Sequence, residues 1–123
     1  MTKNSHSILL VDDSPSMREI TSFALRNADY EVYQSCDGVE ALEFAKTRKV
    51  DLVITDINMP NMDGITLIKE LRKLPDYKFV PILTLTTESS TEKKQEGKAA
   101  GATGWIVKPF DQEGLLGIVK RVL

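Results

Sequence analysis

Continuous apolar runs alternate with apolar residues at helical spacing along this chain. Ile8-Leu9-Leu10-Val11 is an unbroken apolar run of the kind found in strands buried on both faces. Ser14-Pro15 then offers an N-cap followed by a proline at the first helical position. Met17, Ile20, Phe23 and Ala24 continue at helical spacing until Asn27-Ala28-Asp29 closes the segment. Residues 31–36 alternate in character and predict a weaker strand at a sheet edge. Asp37-Gly38 opens a second helix carrying Val39, Ala41, Leu42 and Ala45. Leu52–Thr55 predicts a third strand. Asp63-Gly64 leads into a third helix with Ile65, Leu67, Ile68, Leu71 and Leu74, stopped by Pro75. Residues 80–86 predict the fourth strand, with Pro81 confined to its start because proline has no N–H for the ladder.

Thr91–Ala100 predicts the fourth helix and the least secure one. Its middle, Glu92-Lys93-Lys94-Gln95-Glu96-Gly97-Lys98, lacks large apolar residues, and an interior glycine costs about 1 kcal/mol. The charge run reads equally as a solvated face or an output surface. A short fifth strand is predicted at 105–107. Pro109 breaks the chain, and Asp111 caps a last helix striped by Leu115, Ile118, Val119 and Val122. Five strands alternating with five helices predict an α/β domain with a parallel sheet and right-handed crossovers. The chain length and the weak second strand fit the flavodoxin-like order 2-1-3-4-5. Ligands of such open sheets bind at the carboxyl ends of the strands, where the strand order reverses.

Composition narrows the classes. A length of 123 residues suits one domain, and 41% hydrophobic with 28% charged residues is ordinary for a soluble globular protein. A net charge of -2 argues against nucleic acid as the partner. The single cysteine, Cys36, has no internal disulfide partner; it reads as a small buried hydrophobe and fits a reducing cytoplasm. No apolar stretch approaches the ~18 residues of a membrane span. Residues 1–6 are polar and too short for a signal peptide. They read as a flexible tail before a domain at 7–123, and His6 receives no role. With no linker or further domain in view, a monomer that signals through protein–protein contact is expected.

The polar residues after the strands carry the chemistry. Asp12 and Asp13 come after the first strand, Asp56 after the third, Thr86-Thr87-Glu88 at the end of the fourth and Lys108-Pro109 after the fifth. Alone, each acid reads as a cap or turn residue, Thr86 as an ordinary strand residue and Lys108 as a solvated charge. In the expected strand order they converge on one mouth. Two carboxylates about 5 Å apart repel by roughly 3 kcal/mol at an effective dielectric near 20. Three therefore call for Lys108 and a divalent cation, which together balance the charge. Magnesium suits few carboxylates, retained waters and a phosphate ligand, whereas zinc would want nearby His or Cys.

Val-Asp-Asp at 11–13, Asp-Ile-Asn-Met-Pro at 56–60, Asp-Gly at 63–64, Thr86 and Lys-Pro-Phe at 108–110 jointly resemble the receiver domains of bacterial two-component response regulators. The resemblance runs from about Ser7 to the end of the chain and includes the single-domain chemotaxis members. It implies that Asp56 is the phosphoacceptor, attacking the phosphorus of a phosphohistidine in a histidine kinase. It implies Asp13, Asp56 and the backbone carbonyl of Asn58 as Mg2+ ligands, with Asp12 acting mostly through a bound water. Lys108 would pair with a phosphoryl oxygen and Thr86 would donate its hydroxyl to another. Trp105, where the family usually has Tyr or Phe, would turn inward and change the surface of the fourth helix, fifth strand and fifth helix. Asn58 and Glu88 would tune attack of water on the phosphoaspartate. Thr87 stands where the family favours a smaller residue, which would slow access to the phosphoryl site. The Lys108-Pro109 bond is expected to be cis.

The implied function is a non-enzymatic phospho-receiver that assists its own phosphorylation and dephosphorylation. A flagellar motor switch protein is the expected target, and a phosphatase is a further partner. A phosphorelay shuttle feeding a histidine phosphotransfer protein is the alternative. An aspartyl-phosphate phosphohydrolase would want Asp as general acid where Asn58 stands. A flavodoxin-like FMN carrier would have its flavin phosphate repelled by the acidic mouth.

Overall fold

The computed structural model describes residues 6–123; of the expected tail, residues 1–5 lie outside the described residues. Five strands form one parallel sheet in the order β2-β1-β3-β4-β5: β1 Ser7–Val11, β2 Glu31–Ser35, β3 Leu52–Thr55, β4 Ile82–Thr86 and β5 Gly104–Val107. The helices are α1 Pro15–Asn27, α2 Gly38–Thr47, α3 Gly64–Lys73, α4 Thr91–Ala100 and α5 Gln112–Val122. The expected order and alternation are thus found, with β2 at the edge. Among the described residues no helix is long and apolar enough to cross a membrane.

Strand alternation divides the core in two. Leu9, Val11, Val53 and Ile82 face α2 and α3, against Ala41, Ala45, Leu67, Ile68 and Leu71. Ile8, Leu10, Leu52, Ile54, Leu83 and Leu85 face α1 and α5, against Leu25, Leu115 and Val119. The central strands bury both faces, which is why their sequences are mostly apolar, with Thr55, Thr84 and Thr86 buried among the aliphatic residues.

The capping residues do what their types allow. Ser14, Asp37, Asp63, Ser90 and Asp111 each accept a backbone N–H from the first turn of α1, α2, α3, α4 and α5 respectively. α4 forms over the expected residues although Gly97 is its one buried position, and Gly101 closes it in a left-handed conformation at φ 118.

Three expectations change. β4 begins at Ile82 rather than Val80, because Pro81 has no N–H and meets β3 only through its carbonyl, which accepts from Val53 N–H. A 3-10 turn at Pro75–Tyr77 intervenes, and its Tyr77 is buried with the hydroxyl donated to the Arg48 carbonyl. Cys36 is exposed, not buried, because β2 ends at Ser35, the last residue to register with Val11.

Candidate functional site

The sheet itself assembles the polar mouth. Val11 registers with both Ser35 and Thr55, while Thr55 registers with Thr84 and Thr86 with Val107. The residues just past the strand ends are fixed by one more backbone bond each. Asp12 N–H donates to Ser35 O, Asp56 N–H to Val11 O and Lys108 N–H to Thr86 O at 2.7 Å. The functional side chains therefore start from the ordered sheet rather than from loose loops.

Asp12, Asp13 and Asp56 each bring a carboxylate oxygen within 4.8 Å of the other two. Asp12 is 3% exposed. Its Oδ1 accepts the Ser14 N–H at 2.9 Å, and its backbone carbonyl accepts from the Arg18 guanidinium at 2.7 Å. Asp13 is exposed and Asp56 half-buried. Asp56 Oδ1 accepts the Ile57 N–H at 2.6 Å. Lys108 Nζ donates to Asp12 Oδ2 at 2.9 Å and to Asp56 Oδ2 at 3.2 Å. Burial works against the Lys108 charge, but the Asp12 hydrogen bond and the charges of Asp56 and Asp12 outweigh it, leaving its pKa above the ordinary lysine value. The Lys108-Pro109 bond is cis.

The donor set is all oxygen and negatively charged, which fits a hard divalent cation such as magnesium. Three carboxylates against one ammonium leave a deficit that a divalent charge would cancel. A mouth of this kind can hold a phosphoryl group between a cation, an ammonium and a hydroxyl, which is what phosphoryl transfer needs more than covalent help.

Thr86 is fully buried at the same mouth, and its Oγ1 accepts the Glu88 N–H at 3.1 Å. The Glu88 carbonyl in turn accepts the Trp105 indole N–H at 2.9 Å. One residue of backbone thus joins Thr86 to Trp105. Trp105 is half-buried, and its ring lies over Gly97, where a Cβ would stand only 2.6 Å from Cζ3. The glycine that weakens α4 is also the gap that seats the indole. The sequence marked Gly97 only as a defect, and nothing in its spacing pointed to Trp105.

Asn58 is exposed and Glu88 half-buried, and the Asn58 amide lies near the Glu88 carboxyl. The Ser90 N–H donates to Glu88 Oε2 at 3.4 Å; the polar side chains of Ser90 and Asn58 and the charge of Lys93 favour the Glu88 carboxylate and hold its pKa below the usual range, against partial desolvation. Thr87 is exposed at the rim.

Residues 8–120 match the response regulator receiver domain family. The chain is 42% identical over 104 residues to the chemotaxis protein CheY-3 of Vibrio cholerae serotype O1, covering 84% of this chain and 80% of that protein. Among solved structures it is similar to chemotaxis protein CheY4 of Vibrio cholerae, at 52% identity and a TM-score of 0.93, covering 98% of this chain and 100% of that one. It is also similar to the receiver domain of sensor histidine kinase PA1611 from Pseudomonas aeruginosa PAO1, whose structure has a magnesium ion coordinated in the active-site cleft. That likeness has 28% identity and a TM-score of 0.90, covering 97% of this chain and 98% of that one. The chain spans about half the length of other curated relatives that it matches.

Proposed function

Because the chain belongs to the response regulator receiver family, we propose that it accepts a phosphoryl group on Asp56 from a partner histidine kinase and signals in chemotaxis. The observation that carries this reading is the Lys108 ammonium held between Asp12 and Asp56 on a floor of three convergent carboxylates. An Asp56 carboxylate oxygen attacks the phosphorus, the bond to the kinase imidazole nitrogen breaks, and that nitrogen keeps the electron pair. Asp13, Asp56 and the Asn58 carbonyl would hold magnesium directly and Asp12 through a water; the clustered carboxylates, and a magnesium ion in the active-site cleft of the similar PA1611 receiver domain, support a metal at this mouth. A magnesium ion held there would supply positive charge to the phosphoryl oxygens.

After transfer the mouth carries one more negative charge. Lys108 shifts to a phosphoryl oxygen and the Thr86 hydroxyl is drawn inward. The Glu88 N–H then loses its acceptor, and the loop that holds the Trp105 indole is released to rearrange. The surface of α4, β5 and α5 changes with it and becomes competent for a downstream protein, for which we propose a flagellar motor switch protein in the cytoplasm. Asn58 and Glu88 set how water reaches the phosphoaspartate, so the protein assists its own dephosphorylation, and a phosphatase is a further partner.

Asp56→Asn is expected to abolish labelling by acetyl phosphate or a phosphohistidine donor; full labelling would place the acceptor elsewhere. Binding to the motor switch protein is expected only with a phosphoryl mimic present. Failure to bind it, together with transfer to a histidine phosphotransfer protein, would favour a relay shuttle over chemotaxis.

A further inference from the structure

The loop from Asp56 to Gly64 carries both the acceptor acid and Asn58, so whatever fixes the loop fixes the donor set. Its inner end is tightly closed. Gly64 N–H donates to Ile57 O at 2.8 Å, and a Cβ on Gly64 would stand 2.1 Å from the Asp56 carbonyl oxygen. The outer end is open, with Asn58, Pro60 and Asn61 all exposed. Asn61 sits at φ 68, a left-handed conformation that asparagine tolerates better than most residues.

From this tip one side chain reaches a different element. Asn61 Nδ2 donates to Asp37 Oδ2 at 2.7 Å. The other oxygen, Asp37 Oδ1, accepts the Glu40 N–H at 2.9 Å and caps α2. Beside it, Gly38 lies bare against the loop: a Cβ there would stand 2.7 Å from the Met62 carbonyl oxygen. The loop tip therefore rests on the first turn of α2, with Asp37 as the bracket between them. The Glu40 N–H, and then the Asn61 amide, hold the Asp37 carboxyl below its ordinary range.

We propose that the Asn61–Asp37 pair is a strut that positions the β3–α3 loop for divalent metal, making both residues positioning residues for a site that neither one touches. The proposal rests on the reading of the acidic mouth as a magnesium site. Magnesium demands near-ideal octahedral geometry at short distances, so a carbonyl donor on a wandering loop loses affinity. A site held by locked supporting contacts keeps it. Asn58 is three residues from Asn61, inside the span that the strut and the Gly64 closure bracket.

The test titrates the full chain with MgCl2 by calorimetry. Asp37→Ser keeps an oxygen to cap α2 but is too short to reach Asn61. Asn61→Gly keeps the left-handed backbone and drops the amide. Each is expected to weaken magnesium binding by about three- to tenfold, the worth of one hydrogen bond. The double variant is expected to be no weaker than the worse single one, because both remove the same contact. In EDTA, amide exchange at Met59 and Met62 is expected to speed up in both, while α2 beyond its first turn keeps its protection. Single variants that bind as tightly as the parent, or losses that add in the double, overturn the strut. Asp13→Asn separates this failure from a deeper one. If it binds magnesium like the parent, the metal-site reading falls and takes the strut with it. If it loses binding while D37S and N61G keep it, the strut alone falls.

Discussion

Gly97→Ala tests whether the indole of Trp105 is seated on α4. In an exposed helix interior, alanine stabilises by about 1 kcal/mol over glycine. Nothing in the α4 sequence itself predicts any other result. The structure predicts the opposite sign. A Cβ at position 97 would stand 2.6 Å from Trp105 Cζ3 and 3.1 Å from Cε3, against the ~3.5–4.0 Å that carbon contacts prefer. The ring must retreat by about 1 Å, and overpacking of that kind costs about 1–3 kcal/mol. The retreat also stretches the 2.9 Å bond from the indole to Glu88 O, a further loss of about 0.5–1.5 kcal/mol. Against the helix gain, the net expectation is a destabilisation of about 0.5–3.5 kcal/mol.

The assay is a double-mutant cycle with Trp105→Ala, tracking urea unfolding by far-ultraviolet circular dichroism so that all four proteins report alike. In the Trp105→Ala background, Gly97→Ala is expected to stabilise by about 1 kcal/mol, the bare helix effect. The sign reversal is the signature of the seat. Tryptophan fluorescence of Gly97→Ala is expected to shift as the indole gains exposure. Equal stabilisation by Gly97→Ala in both backgrounds would refute the reasoning, because it would mean that the ring does not occupy the space above Gly97.

Gly64→Ala is expected to cost at least about 3 kcal/mol, since its Cβ would meet the Asp56 carbonyl oxygen at 2.1 Å and neither backbone can yield cheaply. A loss under about 1 kcal/mol in urea unfolding would mean that α3 can slide away from β3. Lys108 has a folded pKa above its ordinary 10.5, so its contribution is complete below the unfolded value and lost as pH rises through the higher folded value. Thermal melts in EDTA are expected to fall more steeply between about pH 10 and 12 for the parent than for Lys108→Met; parallel slopes would remove Lys108 from the stability of the mouth.

The sheet and the mouth were legible because both arise from local patterns. A strand buried on both faces is mostly apolar, and the chain turns polar where the strand ends; Ile8 to Asp13 and Leu52 to Asp56 show both tendencies. The missed features depend on contacts distant in sequence. The exposure of Cys36 turns on where β2 stops pairing, which composition does not encode. The turn at Pro75–Tyr77 is too short to have a period, and its Tyr77 is fixed by the carbonyl of Arg48, 29 residues away. Asp37 reads only as the opening of the second helix and Asn61 draws no reading; only the fold brings them to 2.7 Å. Gly97 reads as a fault until Trp105 is laid over it. Arg72 is given no role by the sequence pattern, and its guanidinium reaches the carbonyls of Tyr77, Val80 and Gly101.

That arginine changes how α4 must respond. At its C-terminal end, Gly101 O accepts from Arg72 Nε at 3.2 Å and from Nη2 at 2.7 Å, while Ala102 N–H turns back to Gly97 O at 2.9 Å. The same guanidinium grips the carbonyls before β4, so this end of α4 is fastened to the frame of α3 and the sheet. Burial lowers the Arg72 pKa, but from so high a value that the charge is kept. The N-terminal end has a different footing. It rests on the Ser90 cap and on Glu88, whose N–H is held by Thr86 and whose carbonyl is held by Trp105. A change at Thr86 therefore acts on one end of a helix whose other end is anchored. If the Thr86 hydroxyl moves as proposed, a pivot about Gly101 is expected to cost less than a translation of the whole helix, because the Arg72 contacts are kept. Little apolar area resists it, because Gly97 is the one buried position of α4 and its neighbour there is the ring that the same loop controls.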